Sequence, residues 1–460
     1  MKKLTTTFLG CALIALTFCS TTITYAQDNA PWVSIFDGKS LEGWERKGGE
    51  AIYRVRNGSI VGITVPDTPN SFLVTEEMYD DFILEFQVKL SAKTNSGVQI
   101  RSNSYPEFND GRVHGYQVEI DPSDRAWTGG IYDEARRGWL FPLEGMPEAQ
   151  KAYKHTEWNK IRVEAIGDTI KTWVNDIPVS HLVDDRTQSG FIGLQVHSIG
   201  SLEEKGIRIQ WKDLRIITDS PRKFARNTPV QPKDNYNKLT HSQRDWGWDL
   251  LYDGKSMDKW RGARQANFPE SPEGRGWDYK NGVIKIHESG GQESADAGDI
   301  VTKALYSDFE LWVDFKITPG ANSGIKYFVD ADLNKGEGSA IGLEYQILDD
   351  ERHPDAKLGN HEGSRTLASL YDLLKAQGKK PSPMGEWNHA RIVSKGNHVE
   401  HWLNGKRVLQ YRRNTPQFQQ RVDNSKYSVW PGFGKWTEGN ILLQDHGNEV
   451  SFRNIFIKKL

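Results

Sequence analysis

The sequence predicts an all-β protein built as two tandem sandwiches of antiparallel sheets. Three observations carry that expectation. Short runs alternate apolar and polar residues in the period of a strand, and Gly, Asn, Asp and Pro punctuate them. One unit, roughly 200 residues long, is written twice in the same order, which is too long for a solenoid repeat and fits tandem domains.

Taken in order, the chain opens with Lys2 and Lys3, an apolar run from Phe8 to Phe18, and a small-residue site at Thr24, Tyr25 and Ala26. That is the layout of a cleaved export signal over residues 1–26, and the apolar run is too short to span a bilayer. The expectation is export to the periplasm or the extracellular space, with no transmembrane segment in the mature chain. Both cysteines, Cys11 and Cys19, fall inside the leader, so thiol chemistry and disulfides are excluded from the mature chain. Phe18 stands where a lipid-attachment signal needs a small residue, which argues against anchoring at Cys19. Loss of Lys2 and Lys3 turns a formal net charge of −2 into −4, and nothing in the sequence resembles a nucleic-acid footprint. The 16 Trp and 16 Tyr serve half-buried strands and sugar faces equally well.

The first copy is expected over residues 31–218, a linker over 219–246 and the second copy over 247–460. Ile35 to Trp44 recurs as Leu251 to Trp260, and Asp81 to Val88 recurs as Asp308 to Phe315. Asn95-Ser96-Gly97 then recurs as Asn322-Ser323-Gly324 at the same offset, as does Gly115 as Gly342. Farther on, Glu157-Trp158-Asn159 matches Glu386-Trp387-Asn388, and Leu194-Gln195-Val196-His197 matches Leu443-Gln444-Asp445-His446. Gly167-Asp168 and Gly396-Asn397 each separate two alternating runs, a hairpin signal. The linker, with Pro229 and Pro232, reads as a loosely packed surface segment. Leu367, Leu370, Leu373 and Leu374 predict a short helix over Thr366 to Ala376, and a second is expected over Ala149 to His155.

The run Gly342 to Leu348 is a strand with Leu343, Tyr345 and Ile347 on one face and Glu344 and Gln346 on the other. Gln117 and Glu119 occupy the same face in the first copy with carboxylate and amide exchanged. After Leu348, the residues Asp349, Asp350, Glu351, His353 and Asp355 follow in one loop. They offer proton-transfer groups, or mixed oxygen and nitrogen ligands for a divalent metal ion at Asp349, Asp350 and His353; the other reading is a solvated acidic loop.

The opening Phe36 to Trp44, the Asn-Ser-Gly turn, Glu344 to Asp349, Glu386-Trp387-Asn388 and the ending Phe452-Arg453-Asn454-Ile455 together resemble the 3-keto-disaccharide hydrolase domain family, formerly a domain of unknown function. The resemblance covers both copies. It implies concanavalin A-like jelly rolls, export, and cleavage of glycosides oxidised at C3 of the sugar, which an oxidoreductase would supply. A non-catalytic, lectin-like carbohydrate-binding protein is the rival expectation.

A C3 ketone acidifies the C2 hydrogen, so a base can remove it and the C1 substituent can leave by β-elimination, with water adding afterwards. Such a site needs a base titrating near neutrality and a cation or donors facing the enolate oxygen. The candidate catalytic residues are Glu344, Lys326, His446 and His353 in the second copy and Glu119 and His197 in the first. Candidate substrate-binding residues are Gln346 and Tyr371, then Gln117, Arg101, Tyr132, Trp127 and Trp139. A solvated strand lysine, loop histidines and core tyrosines are the structural alternatives for Lys326, His446, Tyr132 and Tyr371.

Overall fold

The computed structural model describes residues 30–269, 271–294, 297–333 and 339–460. The expected export signal, with Cys19, lies outside them. No helix among the described residues is long and apolar enough to cross a membrane.

Each copy is a sandwich of two antiparallel sheets, because its strands alternate and bury one face against the other sheet. In the first copy, a nine-stranded sheet centred on Phe82–Leu90 and Arg208–Ile217 packs on a seven-stranded one. The seven-stranded sheet runs Gly138–Phe141, Ile131–Glu134, His114–Ile120, Ser96–Asn103, Phe191–Val196, Ser71–Thr75, Trp44–Gly48. The second copy repeats the last five of these positions as Ile341–Leu348, Asn322–Asp330, Asn440–Leu443, Ile300–Thr302 and Trp260–Gly262. An eight-stranded sheet backs them. The opening motif is repeated for a structural reason: Trp44 and Trp260 are buried and each donates its indole N–H to a backbone carbonyl, of Ile35 and Leu251.

Leu343, Tyr345 and Ile347 enter the second copy's core, as the two-residue period requires. Glu344 and Gln346 lie on the opposite face of the sheet and are buried there too.

Two expectations of local structure are corrected. Thr366 to Ala376 is not a helix: Ala368 and Asp372 adopt φ of 61° and 59°, which breaks right-handed winding. The segment instead docks along the Ile341–Leu348 edge. Ala368 N donates to Gln346 O, Gln346 N to Ser369 O, and Tyr371 N to Glu344 O. The buried leucines that mimic a helical stripe are turn residues facing the core. Near Ala149, the helix is one turn, Pro147–Gln150.

The linker is fastened rather than loose. Lys233 and Asp234 pair in parallel with Leu182 and Val183. Asn237 and Asn454 exchange reciprocal backbone-to-amide hydrogen bonds of 2.7 and 2.8 Å. The two copies also meet directly. Asp314 accepts from His389 Nδ1 at 2.7 Å and lies 3.3 Å from Arg186 Nη1, while His389 Nε2 donates to Asp185 O at 3.0 Å.

Candidate active site

Lys326 and Glu344 stand opposite each other in the antiparallel register of the second copy, and both are buried. The Lys326 ammonium donates to Ala340 O at 3.3 Å and Ser339 Oγ at 3.4 Å. It lies 3.6 Å from both Glu293 Oε1 and Asp299 Oδ2. Two carboxylates and a facing third thus share one buried cation.

Their ionisation follows from that arrangement. Burial pushes Glu344 up to about 7, with Glu293 and Asp299 adding to the rise and Lys326 and Lys426 opposing it. Burial also lifts Asp299 to about 6 against the pull of Lys326. Burial works to raise Glu293 as well, but Lys326 and Lys426 prevail and hold it down to about 2. For Lys326, burial favours the neutral form, yet Asp299, Glu344 and Glu293 outweigh it and keep the ammonium charged.

The Glu344 carboxylate is barely bonded. Among the described residues its one donor is the Gln346 amide, 3.3 Å from Oε1 once the amide nitrogen is turned that way. Around it, Tyr371 donates to Asp355 Oδ2 at 2.8 Å, and Arg365 bonds Asp355 and Asp372, each at 2.8 Å. The Lys426 ammonium sits 4.4 Å above the Tyr371 ring. His446 meets His353 edge to face with centroids 6.0 Å apart. Burial lowers both imidazoles from the ordinary histidine value, against the pull of Glu293 on His446 and of Asp355 and Asp349 on His353. His446 Nδ1 is buried without a hydrogen-bond partner among the described residues. Gln444 donates to Glu293 Oε1 at 3.3 Å.

In the first copy the equivalent face forms a cleft of about 330 Å³ that includes Gln117, Glu119, Tyr132, Trp139, Gln195 and His197. Gln99 and Gln117 replace the Lys326 and Glu344 pair across the strands, joined by a 2.6 Å hydrogen bond. Burial lifts Glu119 to about 7, as it does Glu344, but Asn95 and Gln117 each donate to one of its oxygens and pull the other way. His197 donates through Nδ1 to Ser198 O at 2.7 Å. Trp127 packs edge-on against Trp139, and the Arg125 guanidinium covers both rings at 4.7 and 4.8 Å.

The model of the 3-keto-alpha-glucoside-1,2-lyase-like domain matches this chain twice, over residues 31–217 and 247–458. The chain belongs to that family. A 3-keto-disaccharide hydrolase of Bacteroides thetaiotaomicron is 37% identical over 234 residues, spanning 46% of this chain and 79% of the relative. Two solved structures of Parabacteroides distasonis proteins, each described as a putative glycosyl hydrolase, are also similar. One is 29% identical with a TM-score of 0.42, covering 49% of this chain and 99% of the other. The second is 31% identical with a TM-score of 0.32, covering 44% and 100%.

Within this lyase-like chain, most candidates gather as two separate clusters, one per copy, and three do not take the expected place. Arg101 is fully buried and bonds Asp80 O, Gly167 O and Asp81 instead of joining Gln99 and Gln117. A bulge causes this: Arg101 has φ of 45°, its counterpart Phe328 has 51°, and the strand register slips at both. Asp349 and Asp350 turn to backbone amides and cations. Asp349 accepts from Gly320 N, Glu351 N and the Arg352 side chain, and Asp350 from Leu367 N and Lys379. His353 Nδ1 accepts from Asp355 N. Among the described residues no three His, Cys, Asp or Glu side chains converge as a metal site.

Sequence reasoning missed Glu293, Asp299 and Arg365, which reach the site from loops, and Lys426, which opens the short 3-10 helix Lys426–Val429. Gln195 and Gln444 were legible as a repeated Leu-Gln pair but were not recognised as site residues.

The glycine of the Asn-Ser-Gly motif acquires a role here. A Cβ on Gly324 would stand 2.1 Å from Glu344 Oε1, and one on Gly97 would stand 2.5 Å from Gln117 Cδ. Each glycine lets the neighbouring side chain lie flat across the strand. Gly324→Ala should therefore fold, because the clash is with the end of a flexible side chain, but it displaces the carboxylate. A loss in kcat on the order of a hundredfold is expected, with thermal midpoint and circular dichroism close to those of the parent.

Proposed function

We propose that this chain, an enzyme acting on glycosidic bonds, cleaves 3-keto-glycosides by elimination in the second copy, with Glu344 as the base. The observation that carries this is the contrast between two carboxylates both held near neutrality. Glu344 is nearly free of hydrogen bonds and faces two ammonium groups, whereas Glu119 is clamped by two amides.

Glu344 takes the C2 proton, and the electrons of that C–H bond form an enolate with the C3 carbonyl. Lys426, held at the rim above Tyr371, supplies positive charge for the enolate oxygen, with Lys326 beneath. Collapse of the enolate forms the C1–C2 double bond and breaks the C1–O bond. The departing oxygen receives the proton that Glu344 collected. Elimination therefore consumes no net proton. Water then adds, its hydroxyl to C1 and its hydrogen to C2, and the overall change is hydrolysis.

An elimination site differs from an ordinary glycosidase site, where two carboxylates flank the bond and manage an oxocarbenium ion. Of the three carboxylates around Lys326, Glu293 accepts from Ser339 and Gln444 and Asp299 from Ala340 N and Asp445 N, and Glu344, left nearly unbonded and facing two ammonium groups, suits the former. Family membership and the named relative support the substrate class. The leader sequence supports export, and the C3 ketone calls for an oxidoreductase acting before this enzyme.

The pH dependence has a definite sign. A base must be ionised to work, and Glu344 is raised to about 7. Thus kcat/KM should rise roughly tenfold per pH unit below about 7 and level off above it. Incubation with a 3-keto-disaccharide and measurement of released sugar across that range checks both function and base. No product from any C3-oxidised glycoside, with the protein folded, overturns the proposal.

A further inference from the structure

We infer that the cleft of the first copy binds an unoxidised pyranoside, a neutral sugar with its hydroxyl groups intact, and holds it without cleaving it. The inference starts from what each cleft offers to a ligand oxygen. A ketone only accepts hydrogen bonds, so cations complement it; a hydroxyl both donates and accepts, so carboxamides complement it. The second copy presents Lys326 across from Glu344, with Asp299 beside them. At the matching positions the first copy has Gln99, Gln117 and Phe72. The ionic set has become an amide pair beside a phenyl ring.

The amides of that cleft are incompletely used. Gln195 is fully buried on the wall of the cleft, and neither its Nε2 nor its Oε1 has a hydrogen-bond partner among the described residues. One amide with both ends open matches one hydroxyl pair on a sugar ring. Tyr132 and Trp139, half-buried with ring centroids 5.3 Å apart, wall the same cleft with the amphipathic surface that pyranose faces favour. Its volume of about 330 Å³ is at the small end of ligand sites.

The cleft lacks what cleavage requires. Glu119 receives hydrogen bonds on both oxygens, from Asn95 and Gln117, so proton abstraction would first require breaking one. Among the described residues no lysine lines the cleft, and its arginines are engaged: Arg112 with Glu134 at 3.1 Å and Arg125 with Asp121 at 2.7 Å. The binding half of the inference stands independently; the claim that this copy does not cleave rests on assigning the chemistry to Glu344.

The test is calorimetric titration of the full chain with an unoxidised glucose disaccharide. One site per chain is expected, weakened at least tenfold in Trp139→Ala and in Gln195→Ala. Trp139 is only half-buried, at the cleft wall, so its variant keeps the test valid if the fully buried Gln195 substitution fails to fold. Undiminished affinity in folded variants, or no binding up to tens of millimolar, overturns the inference. Assays of Glu119→Gln and Glu344→Gln on a 3-keto-disaccharide separate the two claims. Cleavage lost only in Glu119→Gln would make the first copy catalytic and refute non-cleavage, whereas the titration with unoxidised sugar is independent of that outcome.

Discussion

Glu344→Gln lowers kcat on a 3-keto-disaccharide by about 10²–10⁴-fold, the range expected for loss of a positioned general base. The amide keeps the shape of the side chain and its place over Gly324, so substrate affinity and fold are retained. Stability shifts in a direction that the same carboxylate dictates. Its pKa is raised by burial to about 7 from an ordinary 4.5. Between those values the folded state holds a proton that the unfolded state has released, so this group's contribution to stability falls as pH rises through that window. The glutamine variant lacks this penalty, and its thermal midpoint relative to the parent should be higher at pH 8 than at pH 5. Full activity in the variant would remove Glu344 from the mechanism.

Lys326→Met is expected to have the second largest effect, on both activity and stability. Lys326 is the buried cation between Glu293 and Asp299 and opposite Glu344. Its removal leaves carboxylates facing one another with only the rim ammonium of Lys426 nearby. Breaking such a buried arrangement by deleting one partner typically costs about 3–5 kcal/mol, measurable by denaturant unfolding. The carboxylates relieve their repulsion by holding protons, so Glu344 rises further. The ascending limb of the pH profile therefore moves to higher pH by about one unit or more. Lys326→Arg keeps the charge and should restore most of the stability. A profile unmoved in Lys326→Met would mean that the lysine does not sense the base.

The parts of this site that lie on strands were legible from the two-residue period alone. Glu344, Gln346, Gln117 and Glu119 fall on the predicted face, and Lys326 follows from the Asn-Ser-Gly motif, which opens its strand where a turn was expected, because the register across two strands is regular there. The same rule failed two residues farther on: the bulge at Arg101 and Phe328 inserts a left-handed residue, which turns Arg101 away from the cleft. Alternation cannot reveal such an inversion. Asp349 and Asp350 misled for a different reason. Closeness in sequence is not convergence in space, and each carboxylate is consumed by nearby backbone amides and a cation. Glu293 and Asp299 come to Glu344 from a loop and Lys426 from a short 3-10 helix, all far away in the chain, and no local pattern marks them. Thr366 to Ala376 had helical spacing because its leucines pack inward from successive turns, a burial pattern that two left-handed residues convert into a docked edge.

The central claim is that cleavage proceeds by removal of the C2 hydrogen at Glu344. Its most direct test is the fate of that hydrogen: a 3-keto-disaccharide is cleaved in D₂O and the released 3-keto sugar is examined by NMR at C2, against an enzyme-free control. Elimination followed by hydration predicts solvent deuterium at C2 of the product, with both cleavage and incorporation lost in Glu344→Gln and retained in Glu119→Gln. Product that keeps its original C2 hydrogen while the glycosidic bond is cleaved at full rate would contradict the account.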